Sequence, residues 1–142
     1  MANTTFSGPV ISTNGFVGDF TGNITGNVTG NVTGNVTGNV TGIVIGTVTT
    51  RSGAGAVPVT AASVQISTGA GAAALTLANG TAGQILNLVM TVDGGGDATL
   101  TPTTKTGFST IVFGDVGDSV ILQYFTTLGW MVLSNNGATV NA

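Results

Sequence analysis

The chain has 142 residues, of which only two are basic and five are acidic, and it contains neither histidine nor cysteine. Its two cations, Arg51 and Lys105, lie far apart and form no basic footprint for nucleic acid or an anionic membrane, so we expect neither as a partner. Without cysteine there is neither a disulfide framework nor a thiolate metal site. The hydrophobic share of 42% and the 24 glycines predict an ordered, β-rich protein with a neutral surface.

Residues 1–17 contain spaced apolar positions that are interrupted by the turn signals Gly8-Pro9 and Asn14-Gly15. Two interpretations stay open, a frayed terminus and a docking arm that binds through Phe6 and Phe16. Exposing two aromatic side chains on a free tail brings no benefit, which favours the docking arm. The segment lacks the basic start and the long apolar run of a secretory signal, so we expect synthesis in a cytoplasm.

Residues 18–50 repeat a four-residue unit, most often GNVT, in which glycine comes first and an apolar residue comes third. The third-place residues are Phe20, Ile24, Val28, Val32, Val36, Val40, Val44 and Val48. A period of four is twice the strand period, so an extended chain places glycine and valine on one face and the polar residues on the other. The repeat predicts an extended β stem.

One valine per unit does not compensate for ordering four residues, one of them glycine, so the predicted stem needs backbone pairing with other chains. We therefore expect a homotrimer, with Phe6, Phe16 and the third-place residues as the oligomer or capsid interface. The alternative is a flexible low-complexity spacer. In the unit GIVI, Ile43 and Ile45 make both faces apolar, and we expect the following domain to cover the outer face there.

Residues 51–58 are rich in Gly, Ala and Ser and end in proline, which is typical of a linker. Beyond them, short apolar runs alternate with turn signals about every ten residues, and the fold class is predicted to be all-β: an extended N-terminal stem followed by an antiparallel sandwich or jelly-roll-like domain over 59–142. The predicted strands are 63–67, 73–78, 84–92, 98–101, 108–113, 119–126, 130–134 and 138–140. Strand 84–92 has one apolar face, formed by Leu86, Leu88, Met90 and Val92. Strand 119–126 is apolar on both faces, as in a central or interface strand.

Catalytic chemistry is not expected, because the chain has no His, Cys or Glu and therefore no His to activate one of its serines. The pair Asp115 and Asp118 could act across a sugar, but its flanking glycines favour a loop. The 93–97 segment, DGGGD, could hold calcium, but we favour a plain hairpin loop. Trp130 lies in an apolar strand and is predicted to be a core residue. We expect no enzyme, no cofactor and no metal.

The opening FSGPVISTNGFVGDFTG, the GNVT run and the closing GDSVILQYFTTLGWMVLSNNGATV together resemble small structural proteins of tailed bacteriophages, especially those of cyanobacterial and marine hosts. The resemblance spans most of the chain, and its motifs are shared by head and tail proteins. It implies a trimer with an elongated β stem and a compact β head.

In that family the short, non-enzymatic members are capsid decoration or cement proteins. The resemblance therefore implies a homotrimer on the outer surface of the capsid, synthesised in the bacterial cytoplasm, with the major capsid protein or another virion protein as its partner. The alternative is a short tail or head fibre whose C-terminal knob binds host glycans.

Overall fold

The computed structural model describes residues 39–142, which form ten β-strands and contain no helix. The strands are β1 (Val48–Ser52), β2 (Gly55–Val57), β3 (Ser63–Ser67), β4 (Ala73–Leu77), β5 (Ile85–Val92), β6 (Ala98–Pro102), β7 (Thr110–Phe113), β8 (Ser119–Phe125), β9 (Gly129–Asn136) and β10 (Thr139–Asn141). For this part of the chain the predicted all-β class is confirmed, and no helix here is long and apolar enough to cross a membrane. The predicted docking arm and most of the predicted stem lie outside the described residues.

All the strands predicted beyond residue 59 are present, with bounds that differ by at most two residues. Alternating apolar residues and glycine-rich turns were sufficient to locate them. Residues 51–58 differ from the prediction, because they are not a linker but contribute to β1 and β2. Within residues 39–142 the first strand therefore starts in the last unit of the repeat, at Val48.

The strands form two five-stranded sheets, the first in the order β1-β3-β5-β8-β9 and the second in the order β10-β7-β6-β4-β2. The first six strands alternate between the sheets, and each is parallel to its predecessor in the same sheet. The remaining pairs are antiparallel. The prediction of a purely antiparallel domain is therefore wrong. From β1 to β6 the chain winds as a coil that places one strand in each sheet per turn, and antiparallel strands complete both sheets.

The core lies between the two sheets and consists of alternate residues from their facing sides. The largest fully buried side chains include Ile66, Leu75, Leu77, Leu86, Leu88, Met90, Leu100, Ile111, Phe113 and Leu122. On β5 the predicted apolar face is buried at its first three positions, whereas Val92 is 51% exposed. The pairing with β3 shifts at the same point: Ile66 pairs with Met90, and the next residue, Ser67, pairs with Val92.

The 93–97 loop connects β5 in the first sheet with β6 in the second, so the prediction of a hairpin is wrong. It lies against the 68–72 loop, which joins β3 to β4 one turn of the coil earlier. The Ala73 amide donates a hydrogen bond to the Asp97 carbonyl (2.8 Å), and the Thr68 amide donates one to the Val92 carbonyl (2.9 Å). Successive turns of the coil are thus bonded through their backbones.

Trp130 is fully buried, as predicted for a core residue. Its ring meets Tyr124 edge-on, with the ring centroids 5.3 Å apart and an interplanar angle of 69°. The indole Nε1–H donates a hydrogen bond to the Ala78 carbonyl at 2.9 Å. The side chain therefore links β9 to the connection between β4 and β5.

Candidate interaction surfaces

Residues 40–48, here called the entry segment, end at the first residue of β1 and carry strongly exposed aliphatic side chains. The exposed fractions are 60% for Val40, 91% for Ile43, 75% for Val44, 88% for Ile45 and 60% for Val48. The expectation that the following domain covers the GIVI unit is therefore wrong. The hydrophobic core of the described domain extends as far as β1 and β2, and the side chains of the entry segment lie outside it.

The predicted oligomer interface falls only partly within the described residues. Val40, Val44 and Val48 are described, and all three are exposed. The other predicted interface residues lie outside the described part of the chain: Phe6, Phe16, Phe20, Ile24, Val28, Val32 and Val36. Their contact with other chains stays a prediction.

Strand β1 places polar side chains on the side that faces the core. Thr49 pairs in register with the buried Val64, and Arg51 pairs with the buried Ile66. The Thr49 Oγ1 and Arg51 Nε atoms are inaccessible to solvent and have no hydrogen-bond partner within residues 39–142. The Arg51 guanidinium occupies the space that a Cβ on Gly55 would need. A buried polar group without a partner is destabilising, and within residues 39–142 the inner side of β1 leaves these two polar atoms unsatisfied.

The outer face of the first sheet carries a second set of exposed apolar residues, here called the outer patch. The exposed fractions are 51% for Ile85, 38% for Ile121, 36% for Phe125 and 52% for Leu133. Ile85 pairs with Gln123, so Ile121 and Phe125 are its diagonal neighbours on β8. Arg51 is the sole charged residue on the five strands of this sheet, and it faces the core. The outer patch is therefore apolar and uncharged.

Strand β8 was predicted to be a central or interface strand, and it lies between β5 and β9. Val120 and Leu122 face the core and are buried, whereas Ile121 and Phe125 belong to the outer patch. By contrast, the outer face of the second sheet carries small and hydroxylated side chains such as Ala74, Thr76, Thr99 and Thr101. Of the two outer faces, that of the first sheet is the more apolar and therefore the better suited to bind a partner.

The carboxylates of the candidate acidic sites accept hydrogen bonds from the backbone of their own turns. The Asp118 Oδ2 atom accepts hydrogen bonds from the backbone amides of Gly114 (2.8 Å) and Asp115 (3.1 Å). The Asp93 Oδ1 atom accepts one from the Gly95 amide at 2.7 Å. Within residues 39–142 no three side chains of metal-binding type come together. Both acidic segments thus act in this structure as turns stabilised by carboxylates.

Comparison with known proteins does not assign the chain to a family. No protein-family model matches it, and no curated protein sequence matches it at a significant level.

Proposed function

We propose that this protein is a structural component of a bacteriophage virion, a homotrimeric decoration or cement protein that binds the assembled head and stabilises it. The observation that carries the proposal is the entry segment, whose aliphatic side chains are exposed by 60 to 91%. Contiguous apolar exposure of this kind marks an interaction site in soluble proteins. Here it continues the valine positions of the repeat, which on energetic grounds needs other chains.

The assignment to a virion is supported by the resemblance of the N-terminal, repeat and C-terminal segments to small phage structural proteins. The partner is the major capsid protein or another protein of the outer shell. Stabilisation follows from mass action, because a protein that binds the assembled lattice, but not its separated subunits, shifts the equilibrium away from disassembly. No catalytic step is part of this function.

Heating of head particles tests the proposal. Particles that lack the protein are incubated with increasing concentrations of the full chain, and the temperature of shell disruption is measured by light scattering or calorimetry. We expect this temperature to rise and then to reach a plateau when all the sites are filled. An unchanged disruption temperature, with or without bound protein, would contradict a cementing role.

A short tail or head fibre is the second candidate, and the outer patch favours it. Phe125 is exposed beside Gln123, and the amide of Asn87 lies on the same face across from Ile121. An aromatic side chain with a few nearby polar groups is suited to a small neutral ligand such as a glycan. Immunogold labelling distinguishes the candidates, because a fibre is labelled at the tail tip or as a projection and a decoration protein over the shell.

A further inference from the structure

We propose that the entry segment and the adjoining edge of β1 form a contact surface between copies of this chain, in which each copy has a neighbour on two sides. The inference rests on the homotrimer of the proposed function and assigns the residues that close it. The central residues are Ile43, Val44 and Ile45, which precede the edge strand β1.

The exposure pattern favours neighbours on more than one side. Ile43, Val44 and Ile45 are consecutive and exposed by 91, 75 and 88%. Consecutive side chains do not all point in one direction, so the segment presents apolar groups around its circumference. A single flat partner covers one side only, whereas a ring of three or more identical copies gives every segment two neighbours.

The charge distribution favours an identical copy as the occupant. Residues 20–50 contain no charged side chain, so copies of this segment approach one another without repulsion. The first charge that follows is Arg51, and its side chain lies on the core side of β1, against Gly55. The guanidinium groups of neighbouring copies are therefore kept away from the shared surface. A partner that binds through opposite charge finds no charge on the segment to complement.

The free edge of β1 indicates what the neighbour supplies. Within residues 39–142, β1 is an edge strand of the first sheet, and edge strands pair readily with another polypeptide. The backbone N–H and C=O groups on that edge offer a neighbouring chain a polar contact beside the apolar one.

A pair of double variants of the full chain tests the surface. In Ile43→Asn/Ile45→Asn both central isoleucines become polar, and in Ile85→Asn/Leu133→Asn two similarly aliphatic residues of the outer patch are changed as the matched control. Molar mass is measured by size-exclusion chromatography with light scattering. We expect the wild type and the control to have at least three times the 13.8 kDa mass of one chain. The oligomer of the entry-segment variant should have a dissociation constant at least about tenfold higher than that of the wild type.

Cross-linking gives an independent readout, because the chain has no native cysteine. Val44→Cys should form covalent dimers under mild oxidation, and Val116→Cys, in the loop between β7 and β8 and also exposed (62%), should not. If residues upstream in the same chain cover Val44 instead, the Val44→Cys variant stays a single chain and the proposal is overturned.

Three further results would overturn the inference: a wild-type protein with the mass of a single chain, a wild-type dimer, or an entry-segment variant with unchanged mass. The thermal unfolding of the domain serves as the folding check, and Ile43→Ala/Ile45→Ala provides a milder variant if the asparagine pair unfolds. The particle-heating experiment separates this inference from the proposed function. An oligomeric wild type that leaves particles unchanged contradicts the virion role and leaves the self-contact standing.

Discussion

Gly96 is a position where the fold depends on the absence of a side chain. The residue is buried in the loop between β5 and β6, and a Cβ there would collide with the Gly71 carbonyl group and lie 2.9 Å from the Ala72 nitrogen. Those atoms are backbone, so they cannot rotate away as a flexible side chain would. The close stacking of successive turns of the coil therefore requires glycine on one side of the contact.

We expect Gly96→Ala to lower the free energy of unfolding by about 1–3 kcal/mol, because the added methyl group separates the two loops. Gly71→Ala is the matched control. A Cβ on Gly71 meets no atom within 4 Å, so its effect should stay within about 0.5 kcal/mol. Urea unfolding monitored by the fluorescence of the buried Trp130 measures both. Equal losses in the two variants would contradict the stacked-loop explanation.

The hydrogen bond of Trp130 makes a second prediction for a single residue. Trp130→Phe keeps an aromatic ring but leaves the Ala78 carbonyl without its donor, which should lower the free energy of unfolding by about 1–3 kcal/mol, with a further loss from the smaller ring. Tyr124→Phe keeps the ring on the other side of the edge-on contact and should cost less than about 1 kcal/mol. Far-UV circular dichroism during urea unfolding measures both variants. A larger loss for Tyr124→Phe than for Trp130→Phe would contradict this assignment.

Among the elements, the strands could be predicted from local sequence but their partners could not. The alternation of apolar residues located β5 and β8, and glycine-rich segments located their ends. The same glycines do not reveal whether a turn stays in one sheet or crosses to the other. The 93–97 loop crosses, so β5 pairs with β3 and β8 rather than with β6. Pairing depends on contacts between distant residues, which no local pattern records.

The candidate surfaces show the same division between local and distant information. Val44 and Val48 are exposed, and their role as interface positions stays a prediction. The sequence did not predict that Arg51 faces the core, because the inner side of the strand VTTRS carries no apolar residue that would indicate a buried face. Only the pairing of β1 with β3 makes Arg51 face the core.

Strand β8 provides a test of the alternation between core-facing and outward-facing residues along a strand. Leu122 is fully buried and Ile121, its neighbour in sequence, is 38% exposed. Leu122→Ala should therefore lower the free energy of unfolding by about 2–5 kcal/mol. Ile121→Ala should change it by less than about 1 kcal/mol. Thermal and urea unfolding at a fixed protein concentration measure both. A similar loss at Ile121 would show that the outer patch is covered and that β8 packs on both of its faces.

For the whole molecule, binding must depend on shape and apolar contact more than on charge. The chain has a formal net charge of only −3, and the entry segment and the outer patch are both uncharged. Long-range electrostatic steering is therefore weak, and association should depend little on ionic strength. The stability of an assembly then comes from the desolvation of aliphatic side chains such as Ile43 and Ile45.

The same composition predicts how the proposed assembly responds to pH. The chain has no histidine, and histidine is the side chain whose ordinary pKa lies between about pH 5 and 8. Folding and self-association should therefore release or take up almost no protons in that range, so the free energies of both stay nearly constant with pH. Molar mass and the unfolding midpoint, measured at pH 5, 6, 7 and 8 at constant ionic strength, should coincide within experimental error. A large change that appears only on capsid particles would indicate that the partner carries the titrating group, whereas a change in the isolated protein would contradict the prediction.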